Sequence, residues 1–274
     1  MPYPVLPPGQ PGADYDPNDP LDFRPGDAIA DYLSEAHHAP PRSLTFPLMT
    51  AQRRSVSITL RPAMVFDLQR RCLVGTRIAR SVRRVGGESA LHGNQRIRLE
   101  PMDFQRIDVE TLKHGLGLFD LSTGGAGILP AFWSTVATTR GRFSLLYAGL
   151  QTDADPGRLL VEIMGLGPGI GVEGVVNACE HIQAQRRGVV LHAAPDLASI
   201  ARLGLARPNC LSLDFASVAT RNLGDWAEAE RLIVAARKVA PHVLIAHLSP
   251  ERGEAAAAAG ATHAVFAPLS DIKA

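Results

Sequence analysis

The sequence predicts one α/β barrel in which short strands and amphipathic helices alternate around a single core. Three observations predict it. From about Leu44 onward, β-rich runs are separated by helical stretches. The later runs are almost continuously apolar, as strands covered on both faces are. Eight such runs fit within 274 residues that are 46% hydrophobic and 20% charged, enough apolar material for one sizeable core.

Strands are expected near residues 57–66, 73–80, 127–132, 159–164, 188–193, 210–214, 242–247 and 263–266. The first two are joined by only Gln69 to Cys72, a hairpin's length, so an antiparallel pair should open an otherwise parallel barrel. Helices are expected over 109–121, 141–150, 172–185, 196–203 and 251–259. A further helix should open at Asp225, with Glu228 three residues on as a capping box. Ala229, Leu232, Ile233, Ala236 and Val239 form its buried stripe, and Pro241 ends it.

Residues 1–43 read differently. The first 26 are dominated by Pro, Gly and Asp, a composition that buries too little apolar surface to offset the entropy of ordering, so a mostly disordered tail is expected. Within it Asp27 caps one short helical pattern carrying Ile29 and Leu33, which must stop by Pro40 and Pro41. The domain reading is therefore 1–43 tail and 44–274 barrel.

The formal net charge of +1 supplies no whole-molecule field for nucleic acid or an acidic membrane. No stretch approaches the roughly 20 apolar residues that span a bilayer, and prolines stand where a leader would have a basic then apolar run. A cytoplasmic protein without membrane or nucleic-acid partners is the expectation. Cys72, Cys179 and Cys210 lack any C-x-x-C spacing and read as small buried hydrophobes. The run MGLGPGIG has glycines at 165, 167, 169 and 171, which do not fit the dinucleotide-binding spacing, and reads as a βα loop. Trp133 and Trp226 read as packing residues, and His37 and His38 as solvated.

In a barrel of this kind chemistry sits at the C-terminal ends of the strands, which here carry Phe132, Glu162, His192, Asp214 and His247. Four of these five ionise or ligate metals, which makes a site hypothesis.

Read in order, the segments resemble those of EAL domains. RPAMVFDLQRRCLVGTRIARSV resembles their opening hairpin, RLLVEIMGLG their Leu-Glu-Ile-Thr strand, and GVVLHAAPDLASIARL the strand and helix carrying paired aspartates. CLSLDFASV is similar to the Lys-x-Asp strand, and IAHLSPERGEAAAAAGATHAVF to the closing segment. The likeness covers residues 56 to 267. It implies a TIM-like (β/α) barrel of EAL type and descent from enzymes that hydrolyse cyclic di-GMP with two divalent cations held by carboxylates.

The departures from that pattern carry more information than the matches. Arg77 stands where the naming glutamate belongs, and a guanidinium repels Mg²⁺ or Mn²⁺. His192 and Ala193 replace the paired aspartates, Ser212 the lysine and His247 the late glutamate. Neither Phe132 nor Trp133 is the expected asparagine. Only Glu162 and Asp214 remain of the acidic set, so a vestigial site with no catalytic residues, no metal and no cofactor is expected, in a regulatory protein that works through protein contacts. Two alternatives accompany that reading. One is a cyclic di-GMP receptor without hydrolysis, its phosphates met by Arg77, Arg80, Arg83 or Arg84. The other is a different metal-dependent enzyme in which His192, His247, Glu162 and Asp214 hold zinc or iron, against the plainer reading that the histidines fill space.

Charge is unevenly spread at the N-terminal end. Residues 51–106 carry twelve arginines against four acids, whereas residues 1–50 carry two against seven. Besides an ordinary solvated face, this suggests an acidic segment from Asp14 to Glu35 lying over arginines such as Arg70, Arg71, Arg83 and Arg84, or an acidic protein partner in its place.

Overall fold

The computed structural model describes residues 43–84, 99–119, 125–150, 158–185, 187–216 and 223–267. The expected tail, with its helix around Ile29 and Leu33, lies outside the described residues.

Among the described residues nine strands follow one another in a single sheet: β1 Leu44–Met49, β2 Ser55–Asp67, β3 Cys72–Arg84, β4 Ala126–Phe132, β5 Leu159–Met164, β6 Gly188–Ala193, β7 Cys210–Asp214, β8 His242–Leu248 and β9 His263–Phe266. They are hydrogen-bonded in sequence order, and β2 also pairs with β9, so the order closes on itself as a barrel's does. The pairings β4–β5, β5–β6, β7–β8 and β8–β9 are parallel, and β2–β9 is antiparallel. The antiparallel opening arises because β2 and β3 are joined by a four-residue turn, too short for a crossover.

Two compact units divide the described chain. One comprises residues 43–63 and 76–192, the other residues 64–75 and 193–267.

In the first unit the core is built by Val56, Ile58 and Leu60 of β2, Ile78 of β3, Ile128 of β4 and Ile163 of β5, each at most 1% exposed. Helices α1 Pro101–Leu116, α2 Trp133–Val136, α3 Thr139–Leu150 and α4 Val172–Gln183 belong to it. Two elements here depart from the sequence reading. β1 was not expected, because Pro47 interrupts its pattern; the strand tolerates a proline since it ends the sheet order and pairs only with β2. α1 begins eight residues before the expected 109. Its start is set by Pro101 at the first helical position and by Asp103, whose Oδ2 accepts the Glu100 N–H at 3.0 Å while Oδ1 accepts that of Ala51 at 2.7 Å.

The second unit packs α5 Leu197–Gly204, α6 Leu223–Val239 and α7 Gly253–Ala259 beside β7, β8 and β9. Asp196 caps α5, accepting the Ser199 N–H at 2.7 Å. The expected stripe of α6 is present, with Ala229, Leu232, Ile233 and Ala236 at most 3% exposed. Its start differs: the helix begins at Leu223, two residues before Asp225. Trp226 is 8% exposed, as a packing residue should be, and Arg252 lies over its ring at 5.3 Å.

Candidate functional site

β3 delivers two arginines to different surroundings. Residues three apart on a strand point to opposite faces, so Arg77 meets β5 of the sheet and Arg80 meets helix α1. Arg77 donates from Nε to Glu162 Oε2 at 2.8 Å and from Nη2 to Oε1 at 3.2 Å. The two side chains are 5% and 0% exposed. His192, at the end of β6, brings Nδ1 to 3.4 Å from Glu162 Oε1. Burial alone would raise the pKa of Glu162, but the Arg77 charge, then the His192 contact, outweigh it and hold the carboxyl well below the usual range. An ionised carboxylate with both oxygens spoken for by an internal cation results.

Arg80 is a second interior pair, and here the sequence expectation is corrected. Rather than presenting its guanidinium to a phosphate, Arg80 is 2% exposed at the side chain. It donates from Nη1 to Asp108 Oδ1 at 2.6 Å and Thr111 Oγ1 at 3.2 Å, and lies 4.0 Å from the centroid of Phe132. Asp108 Oδ2 accepts the Phe132 N–H at 2.9 Å, and Phe104 meets the Phe132 ring edge-on at 4.8 Å. Burial raises the Asp108 pKa, with Arg80 opposing. Asp108 escaped the sequence reading because α1 was started one residue after it; Pro101 followed by Asp103 was the available signal.

Of the remaining arginines, Arg83 is exposed and Arg84 half-buried at the end of β3, while Arg70 and Arg71 stand in the turn before it. Arg71 pairs with Glu254 at 3.4 Å, both groups well exposed. Eleven residues of β3, 72–82, lie between Arg71 and Arg83.

The second unit carries the other candidate residues. His247 Nδ1 is 2.7 Å from Asp214 Oδ1, which also accepts the Ala216 N–H at 2.9 Å. The carboxylate has no proton to give, so Nδ1 is the donor and Nε2 is left for other partners. Both side chains are about one-third exposed, at 36% and 32%. His247 is held at φ 57°, and the β8–β9 register shifts between Ala246 and Leu248, so a bulge re-aims this residue out of the strand's alternation. Ser212 and Ala193 are buried within β7 and β6.

His192 joins Glu162, and His247 joins Asp214, but among the described residues no three His, Cys, Asp or Glu side chains gather so as to hold a metal ion. Burial pushes the Cys179 thiol up to about 11, which disfavours its thiolate. Among the described residues no helix is long and apolar enough to cross a membrane.

No protein-family model and no curated protein matches the sequence. Solved structures do. An EAL domain protein from Listeria monocytogenes superposes with a TM-score of 0.53 at 13% identity, covering 92% of this chain and 97% of that one. The FimX EAL domain of Xanthomonas citri, solved in complex with c-diGMP, gives 0.57 at 13% identity over 76% and 85% of the two chains. A standalone EAL protein from Vibrio cholerae, in its c-di-GMP-bound form, gives 0.57 at 12% over 76% and 89%. Strand order, antiparallel opening and these superpositions agree that the chain has the fold of EAL-domain proteins.

Proposed function

We propose that this barrel is a regulatory protein acting through protein contacts in cyclic-dinucleotide signalling, and that it does not cleave the dinucleotide. The observation that carries the reading is the Arg77–Glu162 pair, a bidentate ion pair with both side chains buried. Two-metal hydrolysis needs carboxylate oxygens turned toward hard cations, to clamp the attacking and leaving oxygens. Here Glu162 spends both oxygens on a guanidinium, and Asp214 is engaged by His247 and the Ala216 N–H. The residues present do not fit a divalent pair. Cyclic di-GMP is the ligand class to test, because it is what the Xanthomonas and Vibrio structures contain.

Incubation of the purified protein with cyclic di-GMP and Mg²⁺ or Mn²⁺ should release no linear dinucleotide above a Glu162→Ala control; turnover above it overturns the proposal. Calorimetry with the same ligand separates the two non-hydrolytic cases, since binding without turnover makes the barrel a receptor. Partner capture with and without residues 1–43 tests the protein-contact part, and an unchanged set of partners shows that the segment takes no share in it.

A further inference from the structure

Asp214 and His247 meet because β8 breaks its own alternation. In the parallel β7–β8 pair Asp214 lies beside Ala246, so on a regular strand His247, the next residue, would point to the sheet face opposite Asp214. Instead the register shifts between Ala246 and Leu248, His247 takes φ 57°, and its Nδ1 lies 2.7 Å from Asp214 Oδ1. The ladder around it is intact, with the Phe215 N–H donating to the Ala246 carbonyl at 2.9 Å and the Ala267 N–H to that of Leu248 at 2.8 Å. A left-handed backbone at a residue other than glycine is strain that the flanking pairing holds in place, and such strain gathers where a side chain has to be presented. What it presents here is an imidazole backed by a carboxylate.

That arrangement sets the chemistry of the other ring nitrogen. The Ala216 N–H donates to the same Asp214 oxygen at 2.9 Å and fixes the carboxylate. Nδ1 carries the proton, so Nε2 keeps its lone pair, and the carboxylate behind the ring raises the basicity of that pair. Among the described residues nothing hydrogen-bonds Nε2, and the side chain is about one-third exposed. The ring therefore activates no hydroxyl or thiol of the described chain, and its own Nε2 is the nucleophile. The other described histidines each lack one of these features. His192 is 17% exposed beside a Glu162 that Arg77 already holds, His263 is buried, and His242 is half-buried with no partner at Nδ1. His114 reaches Glu110 only at 3.7 Å, and through Nε2 itself. His181 is exposed, but its Nδ1 meets the neutral carbonyl of Asn177 at 2.8 Å in place of a charge.

We propose that His247 is a phosphoryl-accepting residue, modified at Nε2 by a small phosphoramidate or acyl phosphate donor. Nε2 attacks phosphorus and forms a P–N bond, while the donor's own P–N or P–O bond breaks. The electron pair of the broken bond leaves with the amine, which takes a proton from water, or with the carboxylate. Nδ1 keeps its proton throughout, and Asp214 stabilises the positive charge that the ring acquires. Transfer places anionic oxygens near the Asp214 carboxylate, a change of local charge that a regulatory barrel transmits without hydrolysing anything. The site stands whether or not the barrel binds a nucleotide.

Incubating the full chain with potassium phosphoramidate, and in a second arm with acetyl phosphate, tests the idea. Phosphorus NMR and peptide mapping at alkaline pH, where phosphohistidine survives, locate the product. The expected result is phosphoryl on Nε2 of His247, formed roughly tenfold faster than on His181 of the same chain, the carboxylate partner being what separates the two rings. That comparison needs no variant, so it holds even if a substitution unsettles the fold. Asp214→Asn should slow His247 by a similar factor and leave His181 unchanged, and His247→Asn, which tolerates the backbone angle, should remove the signal. Labelling by either donor supports the site and identifies the donor class. Labelling by neither, phosphoryl on Nδ1, equal rates at His247 and His181, or an Asp214→Asn variant that reacts as fast as the parent would each overturn the proposal.

Discussion

Arg77 and Glu162 form a two-pronged ion pair with contacts of 2.8 and 3.2 Å and no meaningful exposure on either side chain. Removing one member of such a pair strands the other in a low-dielectric setting. Arg77→Ala is expected to destabilise the protein by about 3–5 kcal/mol, read as a lower denaturant midpoint, whereas Arg77→Met combined with Glu162→Leu should cost far less because no charge is left uncompensated. Equal losses in the single and double variants would show that packing, not charge, explains the pair.

Restoring an acid should not restore chemistry. Arg77→Glu places two carboxylates together where a pair now stands, so the expected outcome is lower stability and no phosphodiesterase activity with Mn²⁺. Activity in this single variant would mean that the remaining residues still form a metal site.

Acid sensitivity should come first from His263. Burial lowers its pKa most; Asp67 pulls it up, His242 pushes it down, and the net value is about 4 against 6.5 for an ordinary histidine. Between those values the unfolded chain takes up a proton that the folded chain refuses, so stability is full above pH 6.5 and falls as the pH drops toward 4. The loss between pH 7 and pH 5 should be about 2 kcal/mol from this residue. Burial lowers His242 as well, which adds to the trend. Urea midpoints at the two pH values, compared with those of His263→Gln, measure the difference; an equal drop in the variant would assign the sensitivity elsewhere.

His247 sits at φ 57°, a region that asparagine and glycine tolerate and β-branched residues do not. His247→Val should therefore cost at least about 1–2 kcal/mol more than His247→Asn. Comparable stabilities would indicate that the bulge rearranges to relieve the strain.

Much of the fold was legible in the sequence because it is written in local patterns. Continuous apolar runs marked β5 to β9, and the spacing of Ala229, Leu232, Ile233 and Ala236 marked the buried face of α6. The side chains Arg77, His192 and His247 were legible too, since they are simply read at their positions. What the sequence by itself determined is thus the alternation of elements and the identity of the side chains at the strand ends. Only the tertiary structure decided their partners. Arg77 and Arg80 look alike in the sequence, yet strand alternation sends one to Glu162, 85 residues away, and the other to Asp108, 28 residues away on a helix whose start had been misplaced. β1 was hidden because whether a proline is tolerated depends on lying at the end of the sheet order. His247 reached Asp214 through a bulge that no periodicity announces. Pairing is a long-range property, fixed by burial and register once the sheet has formed, and that is why the ion pairs that define this site had to be seen in three dimensions.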